Sequence, residues 1–274
     1  MKNGSAFTPQ LAAIFATLVE EASGIHYGAG DRELFYAKIA AQAAEAGYDT
    51  LLDYYYRLRY DDPAGVETRA LIEALCVHET YFFRELLPLQ YLADGPLGEA
   101  VRAKGSARVW SAACATGEEP LTMAMLLHER GLLDRVEVIA TDISETAIAR
   151  ARSGRHGRRA LREEHPPALA RRYLVADEQG VNVAPAVREK VQFRTMNLLD
   201  DPGIDRLGLF DVILCRNVLI YFRDEVIHRV LDRLTRSLAP GGLLSVGVSE
   251  SLLRFGTALA CEERGGAFFY RSMQ

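Results

Sequence analysis

Between Arg108 and the C-terminus, short apolar runs alternate with longer amphipathic ones. "ARVWSAAC", "VEVIATD", "VQFRTMN", "FDVILCRN" and "GGLLSVGVS" have the length and β-branched character of buried strands. "PLTMAMLLHERG", "SETAIARARSG" and "RDEVIHRVLDRLTRSLA" have helical periodicity, and Ser144 stands as the cap of the second. "ALACEERGGAFFYR" reads as a closing hairpin. Apolar strands that alternate with helices require a parallel sheet covered on both faces. Such sheets bind ligands at the carboxyl ends of their strands, so the residues that end each strand are the candidates for a site.

The stretch before this region is all-helical over residues 7–76. Leu11, Ile14, Phe15, Leu18 and Val19 form one apolar stripe, with Thr8 as cap and Pro9 at the first helical position. A second helix starts near Asp31 and stops at Gly47, a third is capped by Thr50, and a fourth has Asp62 as cap with Pro63 at its first position. Glu20 and Glu21 stand where a signal peptide would need small residues, and no apolar run approaches about 18 residues. The expectation is a cytoplasmic protein without a membrane-inserted segment. With a net charge of −5, nothing advertises general binding to DNA or RNA. Cys76, Cys114, Cys215 and Cys261 make no C-x-x-C pair, so no metal site and no disulfide framework are expected.

The first strand ends in "SAACATGEEP". Small residues there let a ligand approach the backbone, and Gly117 accepts a positive φ. The next helix is expected to begin near Pro120. A dinucleotide site would have a G-x-G-x-x-G loop at this turn. Glu118 and Glu119 stand there instead and would repel a pyrophosphate. They either face a cationic ligand or stabilise the helix start through the macrodipole. The second strand ends in Asp142, about 25 residues after Gly117, a place where a carboxylate accepts the hydroxyls of a ribose. The third ends in Asn197 and Leu198, suited to an adenine edge or to a plain turn. The fourth ends in Arg216 and Asn217, which are either site residues or a structural pair that bonds neighbouring loops. Tyr221 follows near the same rim and taken singly suits core packing.

"HETYFFREL", His78–Leu86, matches neither a helical nor a strand period, because Tyr81, Phe82 and Phe83 are consecutive. The three rings either wedge Arg84 in place or seal a joint between domains.

Six runs in this order, "HETYFFRE", "WSAACATGEEP", "IATDIS", "MNLLD", "FDVILCRNVLIYF" and "LAPGGLLSVGVSES", resemble the chemotaxis receptor methyltransferases, the CheR family. They cover most of residues 75–252. The resemblance implies an α/β fold: a class I, Rossmann-like S-adenosylmethionine methyltransferase domain over 77–274, with a small β-subdomain inserted at about 155–190, preceded by the all-α domain 7–76. It implies a protein-glutamate O-methyltransferase that forms methyl esters on chemoreceptor cytoplasmic helices for sensory adaptation. S-adenosyl-L-methionine would be the cofactor, S-adenosyl-L-homocysteine the product, and no metal would be needed.

The resemblance also implies roles. Glu118 binds the methionine amino group and Asp142 the ribose hydroxyls. Asn197 and Leu198 border the adenine, with Arg216 and Asn217 nearby. Thr80 and Arg84 lie beside the methionine portion and the reactive methyl, and Tyr221 faces the substrate carboxylate. The chain departs from the family pattern at His78, where asparagine is usual; imidazole also donates a hydrogen bond. The loop "ADEQG" is shorter than in members whose β-subdomain docks a tethering peptide, so a tether-independent enzyme is expected. Three readings compete, the third being a methyltransferase that acts on a different protein carboxylate or on an unrelated acceptor. The missing G-x-G-x-x-G and the acids at the first turn count against a nicotinamide oxidoreductase, and Arg84, Asp142, Asn217 and Tyr221 favour an enzyme over a non-catalytic sensor of the cofactor.

Residues 150–172 hold eight arginines and two glutamates, a basic surface that would attract an acidic helix or simply be a solvated face. Residues 1–76 hold six basic and eleven acidic residues, so any basic docking face there is small or absent.

Overall fold

The computed structural model of the chain describes residues 8–162 and 165–273. The domain ends Phe7 and Gln274, and the acids Glu163 and Glu164 of the arginine-rich stretch, lie outside the described residues. The chain forms two compact units, Met1–Val77 with Tyr221–Val226, and His78–Ile220 with Ile227–Gln274.

In the first unit, helix α1 spans Pro9–Ser23. The Thr8 hydroxyl accepts from the Leu11 N–H at its start, and Gly24 takes a left-handed conformation at its end. Helices α2, Arg32–Glu45, α3, Leu51–Tyr60, and α4, Val66–Leu75, follow. Thr50 caps α3 through the Asp53 N–H, as its sequence implies. The start of α4 differs from expectation. Asp62 is a cap, but it receives the N–H groups of Val66 and Thr68, and Pro63 lies in a turn ahead of the helix. Gly65, at φ 63°, makes that turn. Phe15, Ile39, Tyr54, Leu71 and Leu75 are buried in the core of this unit.

The second unit opens with helices α5, Leu86–Asp94, and α6, Pro96–Lys104, which the sequence reading did not separate. Pro88 and Pro96 disguise them. Both stand in a first turn, where a missing N–H has no intrahelical partner to lose. Strand β1, Ala107–Ala112, leads to helix α7, Glu118–Glu129; β2, Val136–Asp142, leads to α8, Glu145–Ser153. A small excursion follows: β3, Arg155–Gly157, α9, Pro167–Tyr173, β4, Leu174–Ala176, β5, Gly180–Val183, and α10, Pro185–Arg188. The main sheet resumes with β6, Val191–Thr195, α11, Asp201–Asp205, and β7, Phe210–Cys215. Helix α12, Asp224–Arg236, and strands β8, Leu238–Val246, β9, Leu259–Arg264, and β10, Ala267–Ser272, complete it.

Seven strands lie in the order β6-β2-β1-β7-β8-β10-β9. The first five are parallel, and β10 runs antiparallel to both β8 and β9. The chain works outward from β1 through β2 to β6, then returns to the other side of β1 at β7. The strand order therefore reverses between β1 and β7, and a crevice opens beyond their carboxyl ends. Strands β3, β5 and β4 form a separate antiparallel sheet in that order.

Two boundaries shift from the sequence reading. Helix α7 begins at Glu118 because Gly117, at φ 94°, turns the chain directly into it. Strand β8 begins at Leu238, ahead of Pro240-Gly241-Gly242. Its register against β7 jumps between the pairs Phe210–Leu238 and Val212–Leu243, so the three residues form an irregularity inside the strand. The β9–β10 hairpin matches its expectation: Gly265 and Gly266 both take positive φ in a two-residue turn. Among the described residues no helix is long and apolar enough to cross a membrane.

Candidate active site

Among the described residues, five other than glycine have positive φ: Phe83, Glu85, Ala113, Ala115 and Asn217. All five fall in the segments that sequence reasoning singled out, "HETYFFREL", the loop after β1 and the loop after β7. Strained backbone of this kind persists where surrounding contacts enforce it, and it concentrates at functional sites.

The loop after β1 is shaped by two contacts. An added Cβ on Gly117 would lie 2.7 Å from the Ala151 Cβ and 3.1 Å from the Phe193 ring, so only glycine lets the loop pack onto α8 and β6. Asp142, at the end of β2 and 7% exposed, accepts from the Ala115 N–H at 2.7 Å and from the Ser144 N–H at 2.9 Å. Its carboxylate ties the first two strand ends together, and Ser144 caps α8 through the Ala147 N–H. The Met196 N–H donates to the Asp142 carbonyl, which brings Asn197 and Leu198 beside the same strand end. Asn197 closes its own turn through the Leu199 N–H, and Leu198 is buried.

The opening of α7 places two acids differently. Glu118 is buried; its Oε2 accepts from the Thr116 hydroxyl at 2.7 Å and its Oε1 lies 2.9 Å from His156 Nδ1. Glu119 accepts from the Ser111 hydroxyl and from Arg216 Nη1. The Arg216 side chain is 1% exposed, and its Nη2 reaches the Glu85 carboxylate at 3.0 Å and the carbonyls of Arg84 and Glu85 at 3.1 Å each. Asn217 donates its side-chain amide to Glu85 and its N–H to Glu250. Both residues bind neighbouring loops, the contacts that the structural reading of the pair requires. Burial alone pushes the Glu85 carboxyl up, but the Arg216 guanidinium, the Asn217 amide and the Val248 N–H together hold it below the usual glutamate range.

These bonds fix the segment that carries Arg84. Phe82 and Phe83 are buried in the main core. The Phe82 N–H donates to the Ala160 carbonyl at 2.7 Å, and the Phe83 N–H to the Thr122 hydroxyl at 3.2 Å. Arg84 itself is half-buried, donates from Nη1 to the Glu79 carbonyl, and stacks loosely on Tyr81. Among the described residues it pairs with no carboxylate. Arg162 covers the same ring and pairs with Glu79.

An open cleft of about 690 Å³ is lined by His78, Thr80, Thr116, Glu118, Arg150 and Arg159, with others of the same segments. It brings together three of the expected site residues, His78, Thr80 and Glu118. Asp142 joins them through the Ala115–Thr116 loop, and Arg84 and Asn217 belong to the clasp around Arg216. Tyr221 ends a turn over Leu219–Tyr221 and groups with the helical unit, where its carbonyl accepts from the His26 N–H. Sequence reasoning gave no role to Glu85, Glu250 and His156. Glu250, in "VGVSES" just past β8, carried the same signal as Asp142, an acid beyond a strand's carboxyl end. It accepts from the N–H groups of Asn217 and Gly247. Nothing near His156 marked it.

Residues 78–264 match the family described as CheR methyltransferase, SAM binding domain. The chain belongs to the CheR methyltransferase family. It is similar to chemotaxis protein methyltransferase 1 of Pseudomonas aeruginosa, 33% identical over 87% of this chain and 89% of that protein. It is also similar to chemotaxis protein methyltransferase 1 of Vibrio cholerae, 39% identical over 67% and 68% of the two chains. Among solved structures it is similar to the N-methyltransferase NodS of Bradyrhizobium japonicum WM9 in complex with S-adenosyl-L-homocysteine, at 15% identity and a TM-score of 0.41, over 86% of this chain and 99% of that one. As a CheR methyltransferase the chain is an enzyme that uses S-adenosylmethionine as its methyl donor.

The site residues fit that cofactor. The cleft is of the size that small-molecule ligands occupy. Glu118 offers a carboxylate to an ammonium, Asp142 offers acceptors to a diol, and the buried His78 Nε2 on the cleft wall has no partner among the described residues. Among the described residues no cluster of three His, Cys, Asp or Glu is arranged for a metal.

Proposed function

We propose that the enzyme forms γ-methyl esters on glutamates of chemoreceptor cytoplasmic helices, in the cytoplasm, without a tethering peptide. One observation carries the choice of acceptor: among the described residues, the five carboxylates gathered around the strand ends at the crevice, Glu85, Glu118, Glu119, Asp142 and Glu250, are each already held by two or more donors. Glu85 is held by Arg216, Asn217 and Val248, Glu118 by Thr116 and His156, and Glu119 by Ser111 and Arg216. Asp142 is held by Ala115 and Ser144, and Glu250 by Asn217 and Gly247. Carboxylates so engaged are weak bases. An acceptor that must first lose a proton, such as a hydroxyl or an ammonium, is poorly served. A glutamate, of pKa ~4.3, arrives ionised at neutral pH.

Bound S-adenosylmethionine supplies a methyl group on a cationic sulfur. This chain's residues hold it and align the acceptor. Glu118 takes the methionine ammonium, with His78 and Thr80 along the same wall. Asp142 takes the ribose hydroxyls, and Asn197 and Leu198 flank the adenine. Arg216 and Asn217 act one step back, as the clasp that fixes Arg84. Arg84 keeps most of its guanidinium fork free, and it orients the incoming carboxylate by charge-assisted bonds. Its task is alignment, since a tighter grip would quench the nucleophile; alignment alone is worth ~7–11 kcal/mol in favourable cases. The role of Tyr221 rests on the family resemblance alone. Arg150 and Arg159, exposed and without partners among the described residues, line the same cleft and favour an acidic partner.

Arg84→Ala tests this reading. Turnover on a receptor substrate should fall about 100-fold or more while the thermal midpoint stays put; near-normal turnover would remove Arg84 from the mechanism. The tether-independent reading is supported by the short β4–β5 connection. Asp177 closes it by accepting from the Gln179 and Gly180 N–H groups and from the Asn182 amide. A calorimetric titration with a receptor C-terminal peptide should give no binding heat, and tight binding would refute it.

A further inference from the structure

Glu118 is held by a residue from outside the main sheet. His156 stands in the middle of β3, its side chain fully buried, with Nδ1 2.9 Å from Glu118 Oε1. Because a carboxylate only accepts, Nδ1 is assigned the proton and donates it. Nε2 is buried without a partner among the described residues. Among the described residues the ring's one polar contact is therefore Glu118, and a buried imidazole kept for a single bond calls for an explanation.

The surroundings hold the ring in place. Phe82 packs edge-on against it, with centroids 4.8 Å apart at 73°. Val181 of β5 pairs with His156 across the small sheet. Any side chain at Gly180 would collide with the His156 carbonyl oxygen, so glycine is what lets β5 run close beside it. On the other side of the carboxylate, the Thr116 hydroxyl holds Oε2. Each oxygen thus gives one lone pair to the protein and keeps one for a ligand.

The geometry points to His156 as a positioning residue for the ammonium-binding carboxylate, a donor supplied by the inserted sheet that presets Glu118 for the amino-acid end of the cofactor. This rests on the reading of Glu118 as the ammonium acceptor. A glutamate side chain ordered before binding loses less freedom when the ligand arrives. The inserted sheet is consequently part of the cofactor site.

The test compares two ligands by calorimetry: S-adenosyl-L-homocysteine, and 5′-methylthioadenosine, which lacks the amino-acid end. His156→Phe should weaken S-adenosyl-L-homocysteine by about 10- to 100-fold and leave 5′-methylthioadenosine within about twofold. His156→Asn, which retains an N–H near the Nδ1 position, should recover most of the loss. If the phenylalanine variant fails to fold, His156→Met carries the same comparison. Equal weakening of both ligands, no weakening of either, or an asparagine variant as poor as phenylalanine overturns the proposal. Glu118→Gln separates the two layers. If it discriminates between the ligands and the His156 variants do not, only the role of His156 fails. If it does not discriminate, the ammonium assignment fails and this proposal falls with it.

Discussion

Arg216 and Arg84 are both arginines at the crevice, yet their surroundings differ. Arg216 is buried between Glu85 and Glu119 and clamps two backbone carbonyls. Arg84 is held by that clamp and keeps its own charge unneutralised. Removing one partner of a buried pair leaves the other uncompensated, which is costly. Glu85→Gln probes the clasp through pH. The folded-state pKa of Glu85 lies below its unfolded value, so its contribution to stability is fully present above about pH 4.5 and is lost as pH falls through the lowered folded value. Denaturation midpoints of wild type and Glu85→Gln should therefore differ most near neutrality and converge in acid. A gap that stays constant from pH 7 to about pH 3 would show that the clasp does not depend on the Glu85 charge.

At the scale of elements, the strand-end loops were legible because a parallel sheet forces function to its carboxyl edge. Asp142 and the Gly117 turn stand where that rule put them. The clasp was less legible. "CRN" announces a polar pair at a buried strand end, but whether it faces a ligand or a loop depends on Glu85, which lies 131 positions away in sequence. Helices α5 and α6 were hidden by prolines in first turns, and the irregularity in β8 by a Pro-Gly-Gly that resembles a plain turn. His156 was illegible because its partner is set by how the inserted sheet folds back on α7. The Gly117 turn yields a prediction by comparison with Gly241. Both have positive φ, but nothing lies within 4 Å of an added Cβ at Gly241. Gly241→Ala should cost about 1–2 kcal/mol from backbone strain alone. Gly117→Ala should cost about 1–3 kcal/mol more from overlap with Ala151 and Phe193, and should also weaken cofactor binding. Chemical denaturation of both variants measures the difference, and equal costs would show that the close packing at Gly117 is not real.

For the whole molecule, the sheet, the inserted β3-β5-β4 sheet and the aromatic run converge on one cleft where Glu118 is already held by two donors while Arg150 and Arg159 have no side-chain partner among the described residues. On the proposed reading, that balance favours an acceptor that brings its own negative charge and needs no proton removed. The measurement that meets this claim head-on is transfer of a labelled methyl group from S-adenosylmethionine to a chemoreceptor, followed by mild alkali. Label released as volatile methanol is the expected result, because an ester on a carboxylate is cleaved by base. Label that stays on the protein through alkali would mean a nitrogen or ether-oxygen acceptor, and would contradict the account.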